Sequence, residues 1–238
     1  MQRIDKFLCD QNLGTRKQVK EFIKNGMVTI NGETALKPEQ HVDETADEIS
    51  FGGKVLNYSE FRYYMLYKPQ DVVSATTDGR SVTVVDLLKP ENVKGLAPVG
   101  RLDKDTEGLL LMTNDGMLTH NLLSPKKHVD KDYEVHLAHE ITDAELKKLE
   151  NGVDIGDETR TLPAVTYRDE PDAEGRCVIH LVLHEGRFHQ VKRMLEAVGN
   201  EVLFLKRISM GSLKLDETLE PGEYRPLTVQ ELEGLQNS

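Results

Sequence analysis

Hydrophobic positions in the first fifty residues recur first at helical and then at strand spacing. Ile4, Phe7 and Leu8 share one side of a short helix; Gly14 ends the run, and Thr15 with Gln18 three residues on forms a capping box for a second helix. Val19, Phe22 and Ile23 supply the apolar face of that helix, and Gly26 is placed to stop it. Met27-Val28-Thr29-Ile30 then alternates with period two and runs into Asn31-Gly32, a dipeptide that favours a tight hairpin. The pattern predicts a small unit over residues 1–59, two short helices followed by a β-ribbon.

Residues 53–62 read as a linker, and residues 60–238 as a larger domain. Strand-like runs at 63–67, 109–113, 133–138, 178–184 and 202–207 alternate irregularly with helical ones. Thr142 and Glu145 form a second capping box, opening a helix that Gly152 should end. Strands and helices do not alternate as a doubly wound parallel fold requires, and no Gly-rich phosphate loop follows a strand. The expected class is α+β, with the larger domain built on a mainly antiparallel mixed sheet.

Composition narrows the class of function. No stretch approaches the roughly 20 apolar residues of a membrane span, and residues 1–10 carry charges where a signal peptide needs an apolar run, so a cytoplasmic protein is expected. Cys9 and Cys177 stand far apart without a Cys-x-x-Cys or a histidine at ligand spacing, which argues against a disulfide framework or a structural zinc site. The formal charge of −11 argues, taken alone, against nucleic acid. It is an average over unlike regions. Residues 39–60, 143–174 and 214–235 hold 22 Asp+Glu against 7 Lys+Arg, a net of −15, and the remainder carries +4. A localised basic surface is therefore compatible with the total.

Arg16, Lys17, Lys20 and Lys24 lie on and around the polar side of the second helix. Solvated helix faces carry such runs too; the alternative is a phosphate-contacting face. With Arg3-Ile4-Asp5-Lys6-Phe7-Leu8 and the stretch from Thr15-Arg16 to Asn31-Gly32, the unit resembles the S4 RNA-binding module. The resemblance implies that Arg3, Arg16, Lys17, Lys20 and Lys24 contact RNA.

In the larger domain, Gly100-Arg101-Leu102-Asp103-Lys104-Asp105-Thr106-Glu107-Gly108 is a charge-dense loop running straight into the apolar run Leu109-Leu110-Leu111. Asp103 thus sits on a loop held by a strand, a favoured place for reactive groups, although a helix cap or an ion pair with Arg101 fits the spacing as well. From Gly100 to Gly116 the chain resembles the signature of RsuA-type pseudouridine synthases, the family that includes the 16S rRNA small-subunit pseudouridine synthase. That resemblance implies that Asp103 is the catalytic carboxylate and that Arg101 helps hold a nucleotide flipped from the RNA stack. Lys131-Asp132-Tyr133-Glu134-Val135 resembles a second family motif, which implies that Tyr133 packs on the target base. Glu185-Gly186-Arg187-Phe188-His189-Gln190-Val191-Lys192-Arg193-Met194-Leu195 resembles a third, whose basic residue, here Lys192, pairs with the catalytic Asp.

Placing residues about 100° apart from Phe188 puts Phe188, Val191, Met194, Leu195 and Val198 on an apolar arc with Lys192 at its edge. Arg193 and His189 fall on the wetter side, where Arg193, with Arg187 nearby, would meet solvent or RNA phosphate. A lysine snorkelling at a helix edge is the structural alternative for Lys192. His120, His128, His180, His184 and His189 show no metal-ligand spacing, so no metal is expected.

Pseudouridine formation cuts the bond from uracil N1 to ribose C1′, turns the base and rejoins it through C5. The implied chemistry needs base flipping and an ionised carboxylate, and no nicotinamide, flavin, metal or ATP. The resemblance extends to Tyr64-Met65-Leu66-Tyr67-Lys68-Pro69, to Ser124-Pro125 and to residues 221–228. The chain ends at Ser238 without a long basic tail, which favours a 16S over a 23S ribosomal RNA target. The expected partner is that RNA or a small-subunit assembly intermediate, and the expected state a monomer. The competing classes are a non-catalytic S4-type RNA-binding or ribosome-assembly factor, and a glycoside-cleaving hydrolase pairing Asp103 with Asp105 or Glu107, whose carboxyls would have to face each other across a sugar.

Overall fold

The computed structural model describes residues 1–11, 13–44, 46–56, 61–124 and 127–237. Two compact units are present, Met1–Arg62 with Lys89–Gly95, and Tyr63–Leu88 with Leu96–Ser238.

In the first unit, β1 (Gln2–Arg3) leads into α1 (Ile4–Asp10) and α2 (Arg16–Lys24), followed by β2 (Val28–Ile30), β3 (Glu33–Thr34), β4 (His41–Val42), β5 (Ile49–Phe51) and β6 (Lys54–Val55). The capping box at α2 forms, with Thr15 N donating to Gln18 Oε1 at 2.9 Å and the Thr15 hydroxyl accepting from Gln18 N. Asn31 and Gly32 adopt positive φ of 51° and 84°, so β2 and β3 pair as a two-residue hairpin. Ile4, Phe7, Leu8, Val19, Ile23, Val28, Ile30 and Ile49 close one core. The ribbon is wider than the pattern predicts: a four-stranded sheet ordered β3-β2-β5-β6. The stretch 53–62 is not wholly a linker, because Lys54–Val55 is β6, paired with β5; residues 57–60 lie outside the described residues.

The second unit runs β7 (Tyr63–Lys68), α3 (Val84–Leu87), β8 (Ala97–Pro98), β9 (Glu107–Thr113), α4 (Gly116–Leu123), β10 (Lys131–Leu137), α5 (Asp143–Glu150), β11 (Val165–Arg168), β12 (Val178–Leu183), α6 (Gln190–Ala197), β13 (Val202–Met210), β14 (Leu213–Lys214), β15 (Tyr224–Pro226) and α7 (Val229–Gln236). Its sheet is ordered β11-β12-β10-β13-β9-β7-β15, with β8 on β9 and β14 on β13. The pairings are antiparallel except β9 on β13. This is the expected α+β class with a mainly antiparallel mixed sheet. Met65, Leu109 and Leu111 pack against Leu118 and Leu122 of α4 and Leu235 of α7, which accounts for the near-continuous apolar runs of β7 and β9. β10 instead alternates buried and half-exposed positions, with Lys131, Tyr133, Val135 and Leu137 on the buried face. No helix among the described residues is long and apolar enough to cross a membrane.

The parallel junction has a tight spot. Gly108, at φ +103°, pairs with Arg207, and a Cβ on it would lie 2.2 Å from the Arg207 carbonyl oxygen. Only glycine permits this approach. Gly108→Ala should therefore cost at least about 2 kcal/mol of unfolding free energy, because backbone rather than a side-chain tip must move. Urea denaturation of the variant against the parent measures it.

Candidate active site

The Asp103 loop is fixed from beneath and from behind. Ser74 Oγ donates to Leu102 O at 2.9 Å and accepts from Leu102 N at 3.0 Å, which clamps the residue preceding Asp103. Thr106 N donates to Asp103 O, closing the turn, and Asp71 N donates to Lys104 O. Lys68, at the end of β7 and 0% exposed, sends Nζ to Pro69 O, Lys104 O and Thr106 O at 2.9, 3.2 and 2.8 Å. Burial pushes the Lys68 ammonium down to about 8, against the opposing pull of Asp105 and Asp103. The loop is thereby braced by protein groups alone.

Asp103 faces a cavity of about 830 Å³ in the second unit. Its floor is the sheet face bearing Lys131, Tyr133, Leu205 and Arg207; Arg101 to Lys104 form one wall, and Glu185 to Val191 another. Asp103 and Tyr133 thus share one cavity, as the motifs imply. The volume is of the order expected for a small-molecule or nucleotide site.

Lys192 is close to Asp103 but bonds elsewhere. Its Nζ donates to both Asp105 oxygens, at 2.6 and 2.7 Å, and lies 3.8 Å from Asp103 Oδ2. Burial raises the Asp105 carboxyl, but the Lys192 ammonium outweighs this and holds it below the ordinary carboxylate range. Asp105, which the sequence offered only as half of a hydrolase pair, is the closer partner of the lysine. His189 Nε2 lies 3.6 Å from Asp103 Oδ1, so His189 is turned to the carboxylate rather than away from it.

The helical reading from Phe188 is corrected by the backbone. α6 begins at Gln190, His189 takes a left-handed φ of 49°, and Phe188 is 72% exposed, its ring stacked on His189 at 3.8 Å between centroids. Val191, Met194, Leu195 and Val198 remain buried as expected. Arg193 does not face open solvent: it donates to Phe188 O, Ile155 O and Asp157. Arg187 donates to Glu185, Thr159 O and Arg160 O. Both guanidiniums are engaged with the segment around residues 155–160 while staying partly exposed. Arg101 is exposed at the cavity rim.

In the first unit, Arg16, Lys17, Lys20 and Lys24 are all exposed and span an arc of about 100° on α2. Arg3 is drawn into ion pairs with Asp5 at 2.7 Å and Glu39 at 3.2 Å. Histidines in and just after β12 are bound by carboxylates: His180 by Asp132 and Asp169, and His184 by Asp130. Pro125, part of one motif quoted above, lies outside the described residues.

Comparison with known proteins gives this geometry its class. Residues 62–197 match the family described as RNA pseudouridylate synthase, and residues 2–49 match the S4 domain. The chain is 52% identical over 231 residues to the "Uncharacterized RNA pseudouridine synthase YtzG" of Bacillus subtilis, covering 97% of this chain and 96% of that one. It is 41% identical to the "Ribosomal small subunit pseudouridine synthase A" of Vibrio vulnificus, covering 98% and 99%. A crystal structure of a pseudouridylate synthase, 37% identical, superposes with a TM-score of 0.67 over 99% of this chain and 100% of that one. The chain belongs to the RNA pseudouridylate synthase family, in its RsuA-type branch with an N-terminal S4 domain. It is accordingly an isomerase that converts uridine in RNA to pseudouridine.

Sequence reasoning passed over Ser74, Lys68, Lys131 and Arg207. Lys68 and Lys131 lay within motifs already quoted, and strand parity alone puts Lys131 on the face of Tyr133. The depressed ammonium of Lys68 yields a measurable sign. Between about pH 8 and 10.5 the folded state sheds this proton before the unfolded chain does, so unfolding free energy should rise with pH across that window. Lys68→Met should diminish that rise in urea melts and should lower turnover, because Lys104 O and Thr106 O lose a donor.

Proposed function

We propose that the protein isomerises a uridine of 16S ribosomal RNA, acting as a monomer in the cytoplasm on the RNA or a small-subunit assembly intermediate. The observation that carries this reading is the Asp103 carboxylate on a braced loop, sharing one cavity with Tyr133 and standing 3.8 Å from the Lys192 ammonium. The small-subunit target is supported by several relatives named for that subunit at 39–41% identity over nearly the whole chain.

In this reading the target uridine swings out of the stack into the cavity, Arg101 steadies it at the rim and Tyr133 covers the base. Asp103 is the nucleophile or the group that assists glycosidic cleavage, at C6 or C1′. A carboxylate in a closing pocket tends toward its protonated form, and Lys192 opposes this. Asp105 holds that lysine in place and so acts on Asp103 at one remove. Both carboxylates converge on one ammonium, an arrangement unlike a hydrolase pair that must face a sugar from opposite sides. The α2 stripe contacts phosphates, with Arg3 reduced to a lesser role by its own ion pairs.

Asp103→Asn should abolish pseudouridine formation on small-subunit RNA, read by carbodiimide-primer extension, with RNA affinity retained. A new stop from that variant would sink the assignment, free uracil from the parent would mean hydrolysis, and a stop on large-subunit RNA alone would move the target. Lys192→Met should slow single turnover by roughly 100-fold with little change in affinity. Replacing Lys20 and Lys24 with Gln should lower the slope of log affinity against log salt by about 0.7–0.9 per lost phosphate contact.

A further inference from the structure

The cavity floor holds two cations that the reaction as outlined leaves without a task. Lys131 and Arg207 are 9% and 2% exposed, and both line the cavity beside Tyr133. Register pairs Tyr133 with Arg207, and Lys131 stands two residues along on the face of Tyr133, so the three are contiguous. Lys131 Nζ donates to Val129 O at 2.7 Å, and Arg207 Nε to Leu109 O at 2.8 Å. These carbonyls orient the two groups without neutralising them.

Arg207 Nη2 and the neighbouring Thr106 Oγ1 have no hydrogen-bond partner among the described residues. Neither cation takes part in an ion pair among those residues. The carboxylate that Lys131 senses is that of Asp130, which is exposed and bonded to His184 at 2.6 Å. Burial, and then the Arg207 guanidinium, press the Lys131 ammonium below its ordinary range. Two buried like charges with no ion-pair partner among the described residues are costly, and such a pair makes physical sense where negative charge arrives during the reaction.

We propose that Lys131 and Arg207 receive the carbonyl oxygens of the flipped uracil and stabilise the negative charge that the base acquires as it reacts. This rests on the cavity being the uridine pocket. It does not depend on the route. If the C1′–N1 bond breaks, its electron pair passes to N1 and spreads onto the oxygens at C2 and C4. If a nucleophile adds at C6, the C5=C6 pair moves toward C5 and the oxygen at C4. Rejoining through C5 returns the pair to a carbon–carbon bond, and the C5 proton is exchanged for one at N1. Lys131 and Arg207 supply no proton and no electrons. They lower the barrier as fixed, buried charges.

The full-length protein tests this with RNA carrying uridine or 5-fluorouridine at the target position. Fluorine withdraws electrons, so the 5-fluorouracil anion needs less help from the protein; consumption of the nucleotide is followed because fluorine blocks the last proton loss. Lys131→Met removes the charge and keeps the length; Arg207→Lys keeps the charge and removes the planar donors. For Lys131→Met the single-turnover rate on uridine RNA should fall roughly 100-fold with affinity within about threefold, and the deficit should shrink about tenfold or more on 5-fluorouridine RNA. Arg207→Lys should show the same trend with a smaller deficit; if it does not fold, Lys131→Met decides alone. Equal deficits on the two RNAs, a parallel loss of affinity, or a parental rate in Lys131→Met overturns the inference. Asp103→Asn in the same assay keeps the two readings apart. Activity in that variant removes the pocket assignment itself, whereas its inactivity beside a full-speed Lys131→Met removes only the role of the two cations.

Discussion

The parallel contact between Gly108 and Arg207 is the constraint on which the rest of the second unit depends. It joins β11-β12-β10-β13 to β9-β7-β15, and in an otherwise antiparallel sheet it sets β9 and β13 running in the same direction. The loop that enters β9 carries Asp103, and the strand beside β13 carries Tyr133. Carboxylate and aromatic ring therefore come to one cavity because two backbones touch where one residue has no side chain. The same contact sets Arg207 under the cavity with its Nε on Leu109 O.

Charge is distributed around the cavity by depth. Lys68 lies beneath the Asp103 loop and is used up on backbone carbonyls, so it shapes the loop without forming an ion pair with Asp103. Lys192, partly exposed, is held by Asp105 and reaches Asp103 only at longer range. Lys131 and Arg207 occupy the floor. For the nucleophile role proposed for Asp103, a direct lysine bond would occupy the oxygens that must reach the substrate. In the role proposed for Asp103, sharing Lys192 with Asp105 leaves the Asp103 oxygens available to a substrate.

Much of this was legible in the sequence, and the misses have physical causes. Local signals held wherever the interaction is local: the Thr15–Gln18 and Thr142–Glu145 capping boxes and the Asn31-Gly32 hairpin formed as the residues predict. Short strands such as Lys54–Val55 or Leu213–Lys214 are held by their neighbours and carry no period of their own. The wheel drawn from Phe188 failed because His189 turns left-handed, and nothing in a hydrophobic count announces a single positive φ. That Arg187 and Arg193 also donate to carbonyls of residues 155–160 is a tertiary contact that a sequence does not show. Lys192 was placed near Asp103 through the motif, but its preference for Asp105 is a matter of ångströms within one loop.

The reciprocal bonds between Ser74 and Leu102 bear on how the rate responds to temperature. A catalytic loop that orders only when substrate arrives carries that ordering in its activation entropy, at about 1–2 kcal/mol for each backbone residue fixed. Here the residue before Asp103 is immobilised when the chain folds, with Lys68 and Asp71 holding the turn beyond it. The entropy is settled once per molecule rather than once per turnover. In the proposed reaction, what remains to be ordered in each cycle is the RNA, so the thermal signature of catalysis would belong to the extrusion of the nucleotide more than to the protein that receives it.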